Sequence, residues 1–227
     1  MHGITVFGLL HIPEQFVPIA ASALVFILAI IIAIIIRKTY RNENSYLPSS
    51  KLSVTNIFEV IIEGMGNFYE SILGKHTPEF LSLLLSYFIY ILISNLIGLI
   101  PGVVGPTNNM TINAVMAIMV FVFYNFIGLK KHGFHYLKTF MGPMVWLAFL
   151  MIPVEIMTHL ARPLSLTLRL TGNISGEHLV MGIISGLVPL IVPVAFLFMG
   201  FLTAVVQSLV FTTLSAIYVL LSIDIDH

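Results

Sequence analysis

The stretch 155-EIMTHLARPLSLTLRLTGNISGE-177 decides how this chain folds, because it places charged and amide side chains inside the most apolar third of the sequence. At about 100° per residue, one face of a helix collects seven of its positions. They are Glu155, His159, Arg162, Leu166, Arg169, Asn173 and Glu177. All but Leu166 are ionisable or amide side chains, and we call this row the polar seam. Two independent helices broken at Pro163 would have no reason to keep one phase, so we predict a single helix in which Pro163 permits a kink.

The composition of the whole chain is that of an integral membrane protein. Of its 227 residues, 58% are hydrophobic and 9% are charged, whereas a soluble domain is about one quarter charged. The longest polar stretch is a loop, so we expect a single membrane domain over residues 1–227. The zero net charge and the lack of a basic block give no indication of nucleic-acid binding. The absence of cysteine excludes disulfides and thiol chemistry.

Five apolar segments have the length needed to cross a membrane, which is about 20 residues. Three are of ordinary length, namely 16–36, 80–100 and 110–129. The first lacks the preceding positive charge and the cleavage site of a signal peptide, so we interpret it as a retained span. As helices, residues 141–185 and 192–222 would be about 68 Å and about 46 Å long, so we expect both to lie strongly tilted.

The distribution of lysine and arginine predicts the orientation, because cytoplasmic loops carry an excess of both. Neither occurs in residues 1–36 or in the 101–109 turn, whereas both 37–79 and 130–140 contain several positive charges. We therefore predict an external N-terminus over 1–15 and a cytoplasmic C-terminus.

Residues 56–73 differ from the spans because their apolar and polar side chains fall on opposite faces of a helix. The polar face carries Glu59, Glu63, Asn67 and Glu70. We interpret the segment as an amphipathic helix along the cytoplasmic interface. Since its polar face is acidic, docking against a partner protein remains open as an alternative.

Arg169 is the costliest member of the polar seam. A guanidinium at the centre of a transmembrane helix costs about 2.5–3.5 kcal/mol, and with a pKa above about 12 it cannot lose its proton. The simpler explanation of the seam is that its polar side chains hydrogen-bond to neighbouring helices. However, six side chains that are each unfavourable in a membrane are more than helix packing requires. We therefore interpret the seam as a hydrated ion path, which its residues assign to neither protons nor sodium. Gln207, on a face shared with Gly200 and Thr203, is a candidate partner for the Arg169 guanidinium.

The segment from Pro163 to Glu177, followed by Thr203 and Gln207 in the last apolar segment, resembles subunit a of the F-type ATP synthases. Asn95 in its Ser-Asn-Leu-Ile-Gly-Leu-Ile-Pro context is also similar to this family. The resemblance covers essentially the whole chain and is strongest after Met144. One departure concerns Gly200, where many bacterial members have a histidine. His178 directly follows Glu177 and could take over that role.

The resemblance implies an all-α membrane protein with five transmembrane helices and an interfacial helix. Its last two helices would form a steeply tilted hairpin against a ring of c subunits. Arg169 would meet each c-subunit carboxylate, with Asn173 and Gln207 beside it. The implied ion pathway comprises Glu177, His178, Glu155, His159, Arg162, Ser165 and Thr203.

The resemblance also implies a set of partners and a location. The partners are the c ring, the b subunits of the peripheral stalk and the rest of the synthase, all in a bacterial plasma membrane. It implies no cofactor, no metal and no catalytic chemistry in this chain.

Two other classes of function are alternatives to the one that this resemblance implies. A self-contained secondary transporter, with Arg169 binding an anionic substrate, predicts an internal inverted repeat, which we do not find in the sequence. An intramembrane enzyme could use Glu155 and His159 as metal ligands at i, i+4 spacing. However, no third ligand is evident in the sequence, and no His-Glu-x-x-His pattern occurs.

Overall fold

The computed structural model describes residues 13, 16–40, 54–100, 103–133, 136, 148–184 and 191–224. Within these ranges the regular structure is helical throughout, which confirms the all-α prediction for this part of the chain. The α-helices are α1 (Val17–Tyr40), α2 (Val54–Leu73), α3 (Thr77–Gly98), α4 (Met110–His132), α5 (Ala148–Ile184) and α6 (Ile191–Ile223). Most of the predicted external N-terminus, and residues 141–147 of the predicted first long helix, lie outside the described residues.

Four stretches of the described chain are long and apolar enough to cross a membrane. They are Val17–Ile35, Glu59–Gly98, Met110–His132 and Val194–Ile223. Helix α5 is not among them, although its 37 residues exceed the length of a span. We attribute this to the polar seam, whose charged and amide side chains dilute the apolar character of that helix. Length and apolarity therefore identify four of the five expected spans, and the seam itself accounts for the fifth.

A tight turn separates α2 from α3, so the stretch Glu59–Gly98 is two helices and not one. Gly74 begins a 3-10 turn over Gly74–His76 with φ +54°, a left-handed conformation that glycine adopts without strain. The Thr77 hydroxyl donates to the Gly74 carbonyl at 2.7 Å and closes this turn.

Helix α2 has the amphipathic pattern that its sequence predicts. Its acidic and amide side chains at Glu59, Glu63, Asn67 and Glu70 are exposed. Met65, Tyr69 and Leu73 recur every four residues on the other side and are buried. The spacing of these buried positions follows the helical repeat.

The chain forms two compact units. The first unit extends to Pro106 and includes Ala204–Thr212 of α6. In it α1 packs against α3, with the rings of Phe26 and Tyr90 4.9 Å apart.

The second unit comprises Thr107–Thr203 together with the chain after Thr213. Its core lies between α4 and α5. The buried apolar side chains of α4 are Met116, Ala117, Val120 and Tyr124, and those of α5 are Leu166, Leu170 and Ile174. The α4 set contains three- and four-residue spacings and the α5 set recurs every four residues, which is how two helices bury a common stripe.

Helix α5 is continuous from Ala148 to Ile184, with Pro153 and Pro163 inside it. Each proline removes one backbone donor and so leaves a carbonyl one turn earlier without its usual partner. The Thr167 hydroxyl donates to the carbonyl of Pro163 at 2.8 Å within this stretch. The phase of the polar seam predicts one helix here, and one helix is observed.

At Gly105, the chain that follows α3 passes close to the backbone of α3, and a substitution there tests this contact. A Cβ atom at this position would lie 2.9 Å from both the Gly98 Cα and the Ser94 carbonyl oxygen, which are backbone atoms. We expect Gly105→Ala to lower the free energy of unfolding by about 1–3 kcal/mol, because such overpacking forces the backbone to shift. Denaturant unfolding of the purified subunit in detergent measures this change. Gly64→Ala is the control, since a Cβ there would meet nothing within 4 Å. Equal losses in both variants would contradict the packing argument.

Candidate ion-pathway site

The polar seam does not coincide with the buried face of α5. The buried side chains of this helix are His159, Leu166, Thr167, Leu170 and Ile174. At about 100° per residue, their mean direction is turned by roughly 60° from that of the seam. The seam therefore runs along the edge of the packed face. His159 and Arg162 contact side chains of other helices, whereas Arg169 and Asn173 are exposed.

At the N-terminal end of the seam, Glu155 and His159 form the pair that their i, i+4 spacing allows. The Nε2 atom of His159 lies 3.3 Å from a carboxylate oxygen of Glu155. On the other side of the ring, Nδ1 lies 3.5 Å from the hydroxyl oxygen of Tyr124 on α4. In the neutral tautomer protonated at Nε2, the imidazole donates to Glu155 and accepts from Tyr124. The imidazole thus connects a carboxylate to a hydroxyl across two helices.

One turn further along α5, Arg162 lies against two aromatic rings. Its guanidinium carbon is 5.8 Å from the ring centroid of Tyr124 and 5.1 Å from that of Tyr218 on α6. The two tyrosine rings are themselves 5.8 Å apart. These distances are in the range of cation–π attraction, which stabilises a partly buried guanidinium without removing its charge. The stacked guanidinium of Arg162 lies one helical turn from His159 of the Glu155–His159 pair.

Sequence reasoning missed Tyr124, which touches both His159 and Arg162. It lies in the run Phe121-Val122-Phe123-Tyr124-Asn125, where an aromatic side chain reads as helix core. Only its hydroxyl distinguishes it from the phenylalanines, because a buried tyrosine usually finds a polar partner for that group. That signal does not say which partner is found.

A second tyrosine is anchored beside this group from the chain after α4. The Tyr136 hydroxyl donates to Asn125 Oδ1 at 3.0 Å, and its ring packs against Gly128. Burial raises the pKa of Tyr136 to about 12. The hydroxyl therefore keeps its proton at physiological pH and remains a donor.

A buried hydrogen bond between α4 and α5 fixes the rotation of α5 near Arg169. The Asn113 side-chain amide donates to the carbonyl of Thr107 at 2.7 Å and to the hydroxyl of Thr171 at 2.9 Å. Asn113 has no exposed surface, and Thr171 follows Arg169 by two positions. Since residues two positions apart lie about 160° apart around a helix, holding Thr171 toward α4 turns Arg169 away from α4.

The remaining predicted site residues are placed as follows. Ser165 is exposed on α5, and Thr203 and Gln207 are half-buried on α6. Glu177 and His178 lie within the helical range of α5, but their side chains are outside the described part of the chain. The pairing of Gln207 with Arg169 stays a prediction. In the ranges that the structure describes, no three acidic or histidine side chains gather as metal ligands.

A family model described as the ATP synthase A chain matches residues 21–220 of this sequence. The chain belongs to the ATP synthase A chain family. Its similarity to individual members also spans nearly its full length. It is 40% identical over 219 residues to ATP synthase subunit a of Trichlorobacter lovleyi, covering 96% of this chain and 93% of that protein. The match to subunit a of Geobacter sulfurreducens has the same identity and coverage. Subunit a of Bdellovibrio bacteriovorus is 41% identical over 188 residues, which is 82% of each chain.

Membership of the ATP synthase A chain family confirms the resemblance that the motif around Arg169 carries. The chain is a multi-pass membrane protein and a non-catalytic subunit of the F-type ATP synthase complex. Its function is that of the proton-translocating stator subunit in the Fo sector. This membership displaces both the secondary-transporter and the metalloenzyme interpretations.

The bond between Asn113 and Thr171 can be tested without altering the volume of the packed face. We expect Thr171→Val to lower the free energy of unfolding by about 0.5–1.5 kcal/mol, because the Asn113 amide loses one of its two acceptors. Denaturant unfolding in detergent measures the loss. Thr158→Val is the matched control, since the exposed Thr158 hydroxyl donates within its own helix to the Val154 carbonyl at 2.9 Å. A loss no larger than in this control would show that the bond does not hold α5 against α4.

Proposed function

We propose that Arg169 is the fixed charge that a rotating ring of c subunits meets at each step of proton transport. The observation that carries the proposal is the exposure of Arg169 at the edge of the packed face of α5. On the side of α5 that carries Arg169, at about 100° per residue, the exposed apolar side chains include Val154, Val180 and Ile183. Exposed apolar side chains of a membrane protein are covered by lipid or by a partner. A ring of apolar helices with one carboxylate each would match both these side chains and the charge.

The mechanism follows from electrostatics. A proton that enters one half-channel neutralises a c-subunit carboxylate, which can then pass through lipid. When this carboxylate returns to Arg169, the guanidinium favours its ionised form and so lowers its pKa, and the proton leaves by the second half-channel. The same positive charge repels a proton that would pass straight between the half-channels. Arginine suits this role better than lysine, because a desolvated lysine could deprotonate.

The seam residues are divided between the two half-channels by the predicted topology. With the C-terminus cytoplasmic, the N-terminal half of α5 lies toward the cytoplasm. Glu155, His159 and Arg162 would then border the cytoplasmic half-channel, with Ser165 between them and Arg169. The groups assigned to the external half-channel are Asn173, Glu177, His178, Thr203 and Gln207. Each proton that crosses 100 mV carries about 2.3 kcal/mol, which the rotation of the ring would transmit to the ATP-forming subunits.

The partners and the location follow from the same proposal. The external N-terminus and the placement in a bacterial plasma membrane rest on the distribution of positive charge. The b subunits of the peripheral stalk would hold this chain still while the ring turns. The acidic face of α2, which is exposed, is available either to the membrane interface or to such a partner.

Replacement of Arg169 tests the proposal directly. Arg169→Ala should lower ATP-driven proton pumping and ATP synthesis by about 100-fold or more, because no fixed charge then forces the ring carboxylates to release protons. We also expect a passive proton leak through the assembled enzyme. Pumping by inverted membrane vesicles and the amount of assembled synthase are measured together. Lys130→Ala, which removes an exposed cation in the last turn of α4, should pump at the wild-type rate. Full pumping by Arg169→Ala would overturn the proposal.

The external relay is tested by Glu177→Gln and His178→Ala. Both variants should slow ATP-driven pumping without abolishing it, because each removes one proton-exchanging group while Arg169 remains. Ser175→Ala, an exposed position on the same helix, is the control for changes in helix packing. Wild-type pumping rates in both Glu177→Gln and His178→Ala would remove these residues from the proton path.

A further inference from the structure

Tyr124 is the buried centre of the group at the N-terminal end of the polar seam. It is 1% exposed, and it brings α4 into contact with side chains of both α5 and α6. Its hydroxyl faces His159 and also interacts with Arg162, and its ring lies beside the guanidinium of Arg162 and the ring of Tyr218. One side chain therefore acts on two predicted pathway residues.

The hydroxyl edge of Tyr124 decides which nitrogen of His159 faces Glu155. A hydroxyl that donates to Nδ1, which lies 3.5 Å from it, goes with the tautomer that carries its proton on Nε2, where the Glu155 carboxylate is 3.3 Å away. Without that bond the imidazole could rotate or exchange tautomers, and Nε2–H would no longer be held toward the carboxylate. The hydroxyl thus orients the one proton that this pair can exchange.

The ring of Tyr124 has a separate effect on Arg162. A guanidinium and a carboxylate form strong bidentate pairs wherever they can reach each other. Here the guanidinium lies over the rings of Tyr124 and Tyr218. Because the guanidinium is stacked on these rings, the Glu155 carboxylate pairs with His159. The same position keeps a fixed cation near the imidazole. That cation repels a positive charge that would otherwise remain on the ring.

We propose that Tyr124 is a positioning residue of the proton pathway, which orients His159 toward Glu155 through its hydroxyl and holds Arg162 beside them through its ring. The proposal rests on the proposed function, because it assigns these residues to the cytoplasmic half-channel. The titratable or charged groups described around His159 are Glu155 and Arg162 of α5, Tyr124 of α4 and Tyr218 of α6. Tyr136 lies behind them on Asn125.

The first experiment separates the hydroxyl from the ring in the intact synthase. Tyr124→Phe keeps the ring and should reduce ATP-driven proton pumping in inverted vesicles by about two- to tenfold, the range that loss of one hydrogen bond allows. The pH profile of its pumping should also differ from that of the wild type. A purely structural role of the hydroxyl would leave the pH profile unchanged. Tyr90→Phe is the matched control, because Tyr90 is a buried tyrosine of α3 whose ring packs on Phe26. We expect it to pump with the wild-type rate and profile.

The second experiment tests whether the ring acts through Arg162. Tyr124→Leu and Arg162→Gln should each slow pumping and shift the pH profile in the same direction, since the first removes one of the two rings that hold the guanidinium beside His159 and the second removes its charge. Groups that act through one another are not additive. Tyr124→Leu should therefore differ from Tyr124→Phe by less than about twofold when each is added to Arg162→Gln, because both variants lack the hydroxyl and differ only in the ring. Independent, multiplying effects would overturn the role of the ring. Rates are normalised to the assembled synthase, so that a loss of folding in Tyr124→Leu is not counted as slower transport.

Arg169→Ala, measured in the same vesicles, distinguishes a failure of the proposed function from a failure of the role proposed for Tyr124. If Arg169→Ala pumps normally, the proposed function itself is wrong. If Arg169→Ala is inactive while Tyr124→Phe has the wild-type rate and pH profile, the proposed function stands and the positioning role of Tyr124 is overturned.

Discussion

A permanent positive charge among apolar surfaces is the constraint on which the structure depends. A guanidinium keeps its charge, and the described chain has no soluble domain in which the Arg169 side chain would be hydrated. The helix that carries it must therefore present the guanidinium where another charge can reach it. Helix α5 does so by packing one face on α4 and leaving Arg169 exposed at the edge of that face. Under the proposed function, that edge is where a fixed stator charge would meet a moving carboxylate.

The packing of α4 on α5 decides how this charge is presented. The apolar stripes of the two helices set their contact, and the buried bonds from Asn113 to Thr107 and Thr171 fix the rotation. As a result the polar seam is divided into two parts with different surroundings. His159 and Arg162 of its N-terminal part contact side chains of α4 and α6, whereas Arg169 and Asn173 are exposed. Under the proposed function, proton exchange and charge presentation would be located on one helix but at separate positions.

The second arginine of the seam is stabilised in a different way. Arg162 lies over the rings of Tyr124 and Tyr218, so its charge is attracted by aromatic faces and is not cancelled by a carboxylate. This leaves Glu155 paired with His159. One helix therefore carries two guanidinium groups with different surroundings, and the side chains of neighbouring helices determine the difference.

The sequence by itself determined the class of the protein, the apolar spans, the phase of the polar seam, the Glu155–His159 pair and the family motif around Arg169. These features are local, because the length of an apolar run and the 3.6-residue repeat fix them within one segment. The sequence did not reveal the role of Tyr124, the stacking of Arg162, or the division of the seam into a part that contacts other helices and a part that is exposed. Those depend on the rotation of α5 against α4 and α6. That rotation is set by contacts between residues far apart in the chain, such as Asn113 with Thr171, which no periodicity within one helix encodes.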